Sequence, residues 1–241
     1  MSDWSPSRWT GVFDEQSARF RAAVGAADLG ARVPSCPGWT FTELTSHVAR
    51  FCQQVTTYLA SGSTVALRLD PPRAVADPLA HLDAELARAA EVLATTPGNR
   101  PVWTFSPAAP DLAWVWHRRA AHELNLRRWD AQATLRTLDP TDPDQAIDSL
   151  DELLGTLLAA RQLGDEPPEY QGSAVVATEE GRAWFVRLVP GQVPEVRPAD
   201  PGEPADARLH GRAATLLYQL RGRMRLSGTG DERVLKGLRM S

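Results

Sequence analysis

Trp114-Val-Trp-His-Arg-Arg-Ala-Ala-His-Glu-Leu-Asn-Leu-Arg-Arg-Trp-Asp130 is the stretch on which the reading of this chain turns. It falls within a helix expected from Asp111 to about Leu135. Helical spacing places Glu123, Arg127 and Asp130 on one stripe behind Trp116 and Ala120, because positions three, four and seven apart project from the same face. Such a stripe is too polar to be plain core. A carboxylate there, met by His47 from an earlier helix, points to a metal or a catalytic pocket.

Working back from this helix, Ser5-Pro6 reads as an N-cap and first helical position, followed by Trp9, Val12, Phe13, Phe20 and Val24 on one face, with an end near Gly25. A loop with Pro34, Pro37 and Gly38 leads to Thr40-x-x-Glu43, the form of a capping box that opens a second helix. Phe41, Leu44, Val48, Phe51, Val55 and Leu59 mark its buried side, and His47 lies beside that stripe, either as a satisfied boundary residue or as a ligand. Gly62 to Pro72 is a connection. Ala76 to Leu93 is an alanine-rich third helix, stopped by Pro97-Gly98, and Trp103 to Pro107 crosses towards the central helix.

Beyond the central helix, Asp139-Pro-Thr-Asp-Pro143 punctuates the chain, and Ile147, Leu150, Leu153, Leu154 and Leu157 predict one further helix to about Leu163. The expected architecture is an antiparallel helical bundle over 1–164, whose interior is a usual place for ligands from facing helices. Asp165-Glu-Pro-Pro-Glu169 reads as a linker to a small carboxy-terminal α/β or α+β domain over 165–241. There, Ser173–Ala177, Ala183–Val189 and Asp206–His210 predict strands, Ala213–Leu220 and Glu232–Leu238 helices, and Gly228-Thr-Gly230 a turn.

Composition narrows the function classes. A hydrophobic share of 43% with 23% charged residues is that of a folded globular protein, and a net charge of −4 gives no reason to expect nucleic acid. No run of about eighteen apolar residues occurs, so no membrane span is expected. The first twenty residues carry Trp4, Asp14 and Glu15 rather than a basic start and an apolar segment, and the expected address is cytoplasmic. Two cysteines do not make a disulfide framework, so both are read as reduced. Cys36, beside Pro37, is either a reactive thiol or a small residue before a turn; Cys52 is packing.

Three segments together resemble the mycothiol-dependent maleylpyruvate isomerase family, whose amino-terminal domain is similar to the DinB-like metal-binding bundles. They are Pro37-Gly-Trp-Thr-Phe-Thr-Glu-Leu-Thr-Ser-His47, then Trp116-His-Arg-Arg-Ala-Ala-His-Glu123 through Arg128-Trp-Asp130, and Leu209-His-Gly211 through Arg221-Gly-Arg223. The resemblance implies a metal held by His47, Glu123 and a histidine four residues further on. Here that position is Arg127, whose guanidinium has no lone pair to give, so zinc or another divalent metal is doubtful. Neither neighbour replaces it well: His122 is rotated about 100° from Glu123, and Asp130 lies roughly 10 Å along the axis. The expected alternative is an Arg127–Glu123 ion pair.

The resemblance further implies mycothiol as thiol partner, isomerase or S-transferase chemistry on a small, anionic substrate, and Arg223 as a residue important for activity. Arg127 and Arg223 are the catalytic candidates, with Trp116, Asp130 and Arg223 for substrate; His47 and Glu123 are the metal candidates. Two other readings stand beside the enzyme: a metal-free small-molecule binding protein or repurposed biosynthetic enzyme in which Arg127 reads an anion, and a regulatory or interaction module. Plainer roles also stand for several of these residues. Trp116 as packing, Arg118 and Arg119 as a solvated or interdomain face, and Arg221, Arg223 and Arg225 as an exposed strand edge are all consistent with the pattern. Arg73 is a further candidate for substrate binding.

Overall fold

The computed structural model describes residues 4–68, 75–164 and 168–240. Arg73 and residues 165–167 of the expected linker lie outside the described residues. Two compact units divide the chain: one holds 4–104 and 110–140, the other 105–109 and 141–240.

The first unit is built on α1 (Pro6–Gly25), α2 (Phe41–Ser61), α3 (Pro78–Thr95) and α4 (Ala113–Leu135). Ser5 caps α1 ahead of Pro6, its hydroxyl accepting from the Arg8 amide at 3.3 Å. Thr40 and Glu43 form the expected capping box on α2. The α1 and α4 helices pack against each other, with Trp9 stacked on Trp114 at 5.8 Å, while α2 packs on α3 and α4. Phe13, Phe20, Leu44, Leu59, Leu82 and Leu124 are fully buried among them.

Unlike its neighbours, α4 is not amphipathic. Between Ala113 and Gln132 only Trp114 and Trp129 escape burial, so the helix is enclosed on nearly every side despite its arginines and histidines. Arg118 and Arg119, expected on a solvated or interdomain face, are each only 6% exposed. A polar sequence on a central helix reads as surface until the surrounding helices are in place, because polarity alone does not say what covers it.

The second unit begins with helix α5 (Pro143–Glu152), which passes through a π-helical turn at Leu153–Leu157 into α6 (Leu158–Gln162). The bundle was expected to extend to 164, but these helices do not belong to it. Leu150, Leu153, Leu154 and Leu158 share one core with Val176, Val186, Leu209, Leu216 and Leu220, so the division falls near Pro140. The reason is physical: the leucine stripe of α5–α6 finds its apolar partner in the sheet.

That sheet has the order β3-β2-β1-β4-β5 among the described residues. It comprises β1 (Gly172–Thr178), β2 (Ala183–Leu188), β3 (Glu195–Pro198), β4 (Ala207–Gly211) and β5 (Thr229–Gly230), with α7 (Ala213–Leu220) between β4 and β5 and α8 (Glu232–Leu238) at the end. β1 runs parallel to β4, with Val176 opposite Leu209, and antiparallel to β2, with Val176 opposite Trp184. Ala174 and Val176 face the helical core, whereas Val175 and Ala177 join Phe185 on the opposite face, as a period of two dictates.

Two corrections belong here. Gly228-Thr-Gly230, expected as a turn, carries β5: Gly230 has φ of 90°, and a Cβ there would strike the Asp206 carbonyl. Arg221 and Arg223 are not on a strand edge. They lie in the turn that ends α7, where Gly222 has φ of 72°.

Candidate functional site

The site grows from one stripe of α4, whose residues 119, 123, 127 and 130 follow one another at steps of four, four and three. Arg119 Nη2 donates to Glu123 Oε2 at 2.7 Å, and Arg127 Nε donates to Glu123 Oε1 at 2.7 Å. Arg127 Nη1 reaches on to Asp130 Oδ2 at 3.1 Å. Two cations and two anions thus alternate along one helix face from Arg119 to Asp130. The expected Arg127–Glu123 pair is present, and it is the middle rung of a longer ladder.

Two other segments close on this stripe. From α2, His47 Nε2 lies 2.9 Å from Glu123 Oε1, the same oxygen that Arg127 holds. A carboxylate oxygen at this distance accepts, so Nε2 is the ring nitrogen that bears hydrogen. From the loop before α2, Ser35 Oγ donates to Asp130 Oδ1 at 2.7 Å, and Cys36 Sγ lies 3.4 Å from Asp130 Oδ2. Arg127 Nη1 is 3.7 Å from that same sulfur. Trp39, three residues on, tilts against the His47 ring at 5.0 Å between centroids and has the Arg127 guanidinium 5.5 Å from its own ring centroid.

Burial sets the electrostatics. The side chains of Glu123 and Arg127 are 8% and 10% exposed and that of Asp130 is fully buried, while His47 keeps a third of its surface open. Burial works against the charge on Arg127, but the adjoining carboxylates of Glu123 and Asp130 and the Glu123 hydrogen bond outweigh it. They hold the guanidinium cationic more firmly than in a free arginine.

These residues do not fit a divalent metal. Both oxygens of Glu123 face guanidinium hydrogens and one of them also faces His47 Nε2–H, so donors point where an ion would require lone pairs. Among the described residues no group of three or more His, Cys, Asp and Glu side chains is disposed to hold a metal ion.

The other expected site residues fall elsewhere. Trp116 is 1% exposed and built into an aromatic cluster: it stacks on Tyr58 at 5.0 Å, and its Nε1 donates to the Trp103 carbonyl at 2.8 Å. That is the packing role. Arg223 belongs to the other compact unit, where its Nη1 donates to the Arg221 carbonyl at 2.7 Å. His117 is buried with its ring nitrogens 2.9 and 3.0 Å from the carbonyls of Ala113 and Leu93. Sequence reasoning passed over Ser35, Trp39 and Arg119. The position of Arg119, four residues before Glu123 as Arg127 is four after, was the available signal; nothing in the spacing announces Ser35, which meets its partner across 95 residues.

Comparisons with known proteins agree with this architecture. The family model described as "Mycothiol maleylpyruvate isomerase N-terminal domain" matches residues 12–132, half of the chain. A crystal structure of mycothiol-dependent maleylpyruvate isomerase, a histidine-to-alanine variant, superposes with a TM-score of 0.63 at 13% identity and covers 96% of both chains. A second crystal structure of that enzyme gives 0.58 at 13% identity with the same coverage. At this identity the likeness establishes the fold: a DinB-like helical unit followed by a small sheet domain. No curated protein matches the sequence.

Proposed function

The chain belongs to the mycothiol maleylpyruvate isomerase family, and from that premise we propose that it is a thiol-dependent isomerase or S-transferase. Its substrates would be a mycothiol-type thiol and a small, anionic molecule with an activated double bond. One observation carries the reading: the His47–Glu123 contact at 2.9 Å, at the open edge of an otherwise buried site. With hydrogen fixed on Nε2, a neutral His47 ring presents its lone pair at Nδ1, and that atom is the base.

The chemistry then needs only this chain's groups. His47 Nδ1 takes the proton from the incoming thiol, and Glu123 steadies the imidazolium that results. A thiol so deprotonated forms a carbon–sulfur bond at the double bond, moving its π pair onto the carbon beside a carbonyl. His47 returns the proton to that carbon if the product is a thioether. In an isomerase, rotation about the new single bond precedes expulsion of the sulfur, and the double bond re-forms in the other geometry. Arg119 and Arg127 hold the Glu123 carboxylate in place by their hydrogen bonds. Burial gives Trp116 and Asp130 no part in contacting substrate; Asp130 positions Arg127 and the Ser35–Cys36 loop.

The reading as a metal-free small-molecule binding protein in which Arg127 reads an anion is weakened at that residue, because Arg127 is turned to Glu123 and Asp130 rather than presented to a foreign anion.

The test is incubation with mycothiol and maleylpyruvate, following isomerisation by absorbance and thioether formation by mass spectrometry. The expected result is turnover that falls by roughly 100-fold or more in His47→Ala, the usual contribution of a general base. Mycothiol binding without either product would favour the binding protein, and turnover unchanged in His47→Ala would remove His47 from the mechanism.

A further inference from the structure

We infer that the guanidinium of Arg127 stands in the place of a metal ion, so that the bundle site excludes divalent cations and one substitution governs whether it can bind them. This rests on the geometry of the site and not on the thiol chemistry proposed above.

The ladder on α4 is balanced: Arg119 and Arg127 carry two positive charges, Glu123 and Asp130 two negative ones. A divalent ion entering beside Glu123 would meet a fixed cation 2.7 Å from the oxygen it needs, in a region with little water to screen the repulsion. Displacing Arg127 would leave a buried guanidinium without the carboxylate that offsets its lost hydration. Zinc binding would have to exceed both.

Arg127 also does a metal's mechanical work. A coordinated ion ties together the elements that supply its ligands. Here α2 is tied to α4 by His47 on Glu123, and the loop before α2 by Ser35 and Cys36 on Asp130, with Arg127 joining both carboxylates. Trp39, which packs against His47, lies with its ring centroid 5.5 Å from the same guanidinium. Removing metal should therefore leave the structure untouched, whereas removing the guanidinium should part Glu123, still held by Arg119 and His47, from Asp130.

The decisive comparison sets the parent chain against Arg127→His and Arg127→Gln, each loaded with zinc, desalted and analysed for metal content, with cobalt absorption as a second readout. The parent is expected to retain no stoichiometric metal, and its Tm should be the same with EDTA or zinc. Arg127→His supplies a neutral lone-pair donor in place of the cation and should retain about one equivalent, with cobalt bands of a nitrogen- and oxygen-ligated ion. The gain in affinity should exceed the roughly 10- to 100-fold that an outer supporting group contributes. Arg127→Gln removes the charge without adding a strong ligand and should fall between the two.

Metal held stoichiometrically by the parent and lost in Glu123→Gln would overturn the inference, as would a folded Arg127→His variant that binds zinc no better than the parent. Should Arg127→His fail to fold, the parent still decides: a His47-dependent rise of its Tm with zinc refutes exclusion, and an unmoved Tm supports it. Absence of thiol turnover would defeat the proposed function and leave these outcomes unchanged.

Discussion

Around β1 and β4 the buried side chains include Val175, Val176, Ala177 and Leu209; around α4 they include Arg119, His122, Glu123, Arg127, Arg128 and Asp130. Both interiors exclude water, but they are held by different forces. In the sheet unit any apolar side chain of similar volume would serve, because burial of area is not directional. In the helical unit each buried ion needs a partner at a set distance and angle, and each partner's position depends on the next. Arg128, wholly buried, shows how far this extends: its guanidinium donates to Gln16 at 3.0 Å, Gln132 at 2.9 Å, Asn125 at 2.8 Å and the Asp139 carbonyl at 2.8 Å. A protein built only for stability has little use for such an interior, since apolar replacements of buried ion pairs are often as stable. The sheet unit buries the carboxylates of Asp148 and Glu152 on α5, but the concentration of buried ions along α4 marks where chemistry is to be sought.

The contrast can be broken most sharply at Glu123. Glu123→Ala withdraws the carboxylate shared by two buried guanidiniums and should cost about 3–5 kcal/mol. Thermal unfolding followed by circular dichroism should show a fall of roughly 10 °C; a change within a degree or two would mean the ladder is looser than its distances imply. Replacing Glu123 and Arg127 together by Leu and Met should recover only part of that loss while abolishing any turnover, because buried Arg119 and Asp130 each lose their ladder partner.

In the sheet unit, Leu209→Ala should cost about 3 kcal/mol through its cavity. No second substitution of charged residues should relieve it. If added salt altered this loss as much as that of Glu123→Ala, the two interiors would not differ in the way described.

A smaller effect concerns the thiols. Cys52 is fully buried on α2, and burial, with the charges of Glu85 and Glu123, pushes its thiol well above the ordinary range. Brief iodoacetamide treatment of the native protein should therefore label Cys36 ahead of Cys52, as read by peptide mass spectrometry. Equal labelling would show that α2 opens readily.

The smallest effect is at the start of α2, where the Thr40 hydroxyl and amide hold the Glu43 carboxyl below its usual range. A depressed folded-state value adds stability at neutral pH that disappears as pH falls from the ordinary glutamate range through the folded one. Thr40→Val should flatten the acid side of the stability profile, an outcome checked by denaturant unfolding at pH 3 to 7; an unchanged slope would deny the capping box its role.

Much of the local structure was legible in the sequence. The helices Ala213–Leu220 and Glu232–Leu238 have the expected limits, and the capping box at Thr40 and Glu43 lies where its motif indicated. The Arg127–Glu123 pair was legible too, since a four-residue step on a helix fixes which side chains meet. β3 and β5 were not: four and two residues are too few for a period of two to declare itself.

What the sequence determined by itself, then, is everything carried by short-range geometry and by the chemistry of single groups: the order of helices, the stripe on α4, and a cation where a ligand was expected. Tertiary structure alone decided that α4 is enclosed, that α5 and α6 join the sheet, and that Ser35 and Cys36 meet Asp130. The physical reason is one of range. A helix's own period fixes neighbours three and four residues apart, whereas partners some ninety residues distant are chosen only when whole elements compete to cover one another's faces.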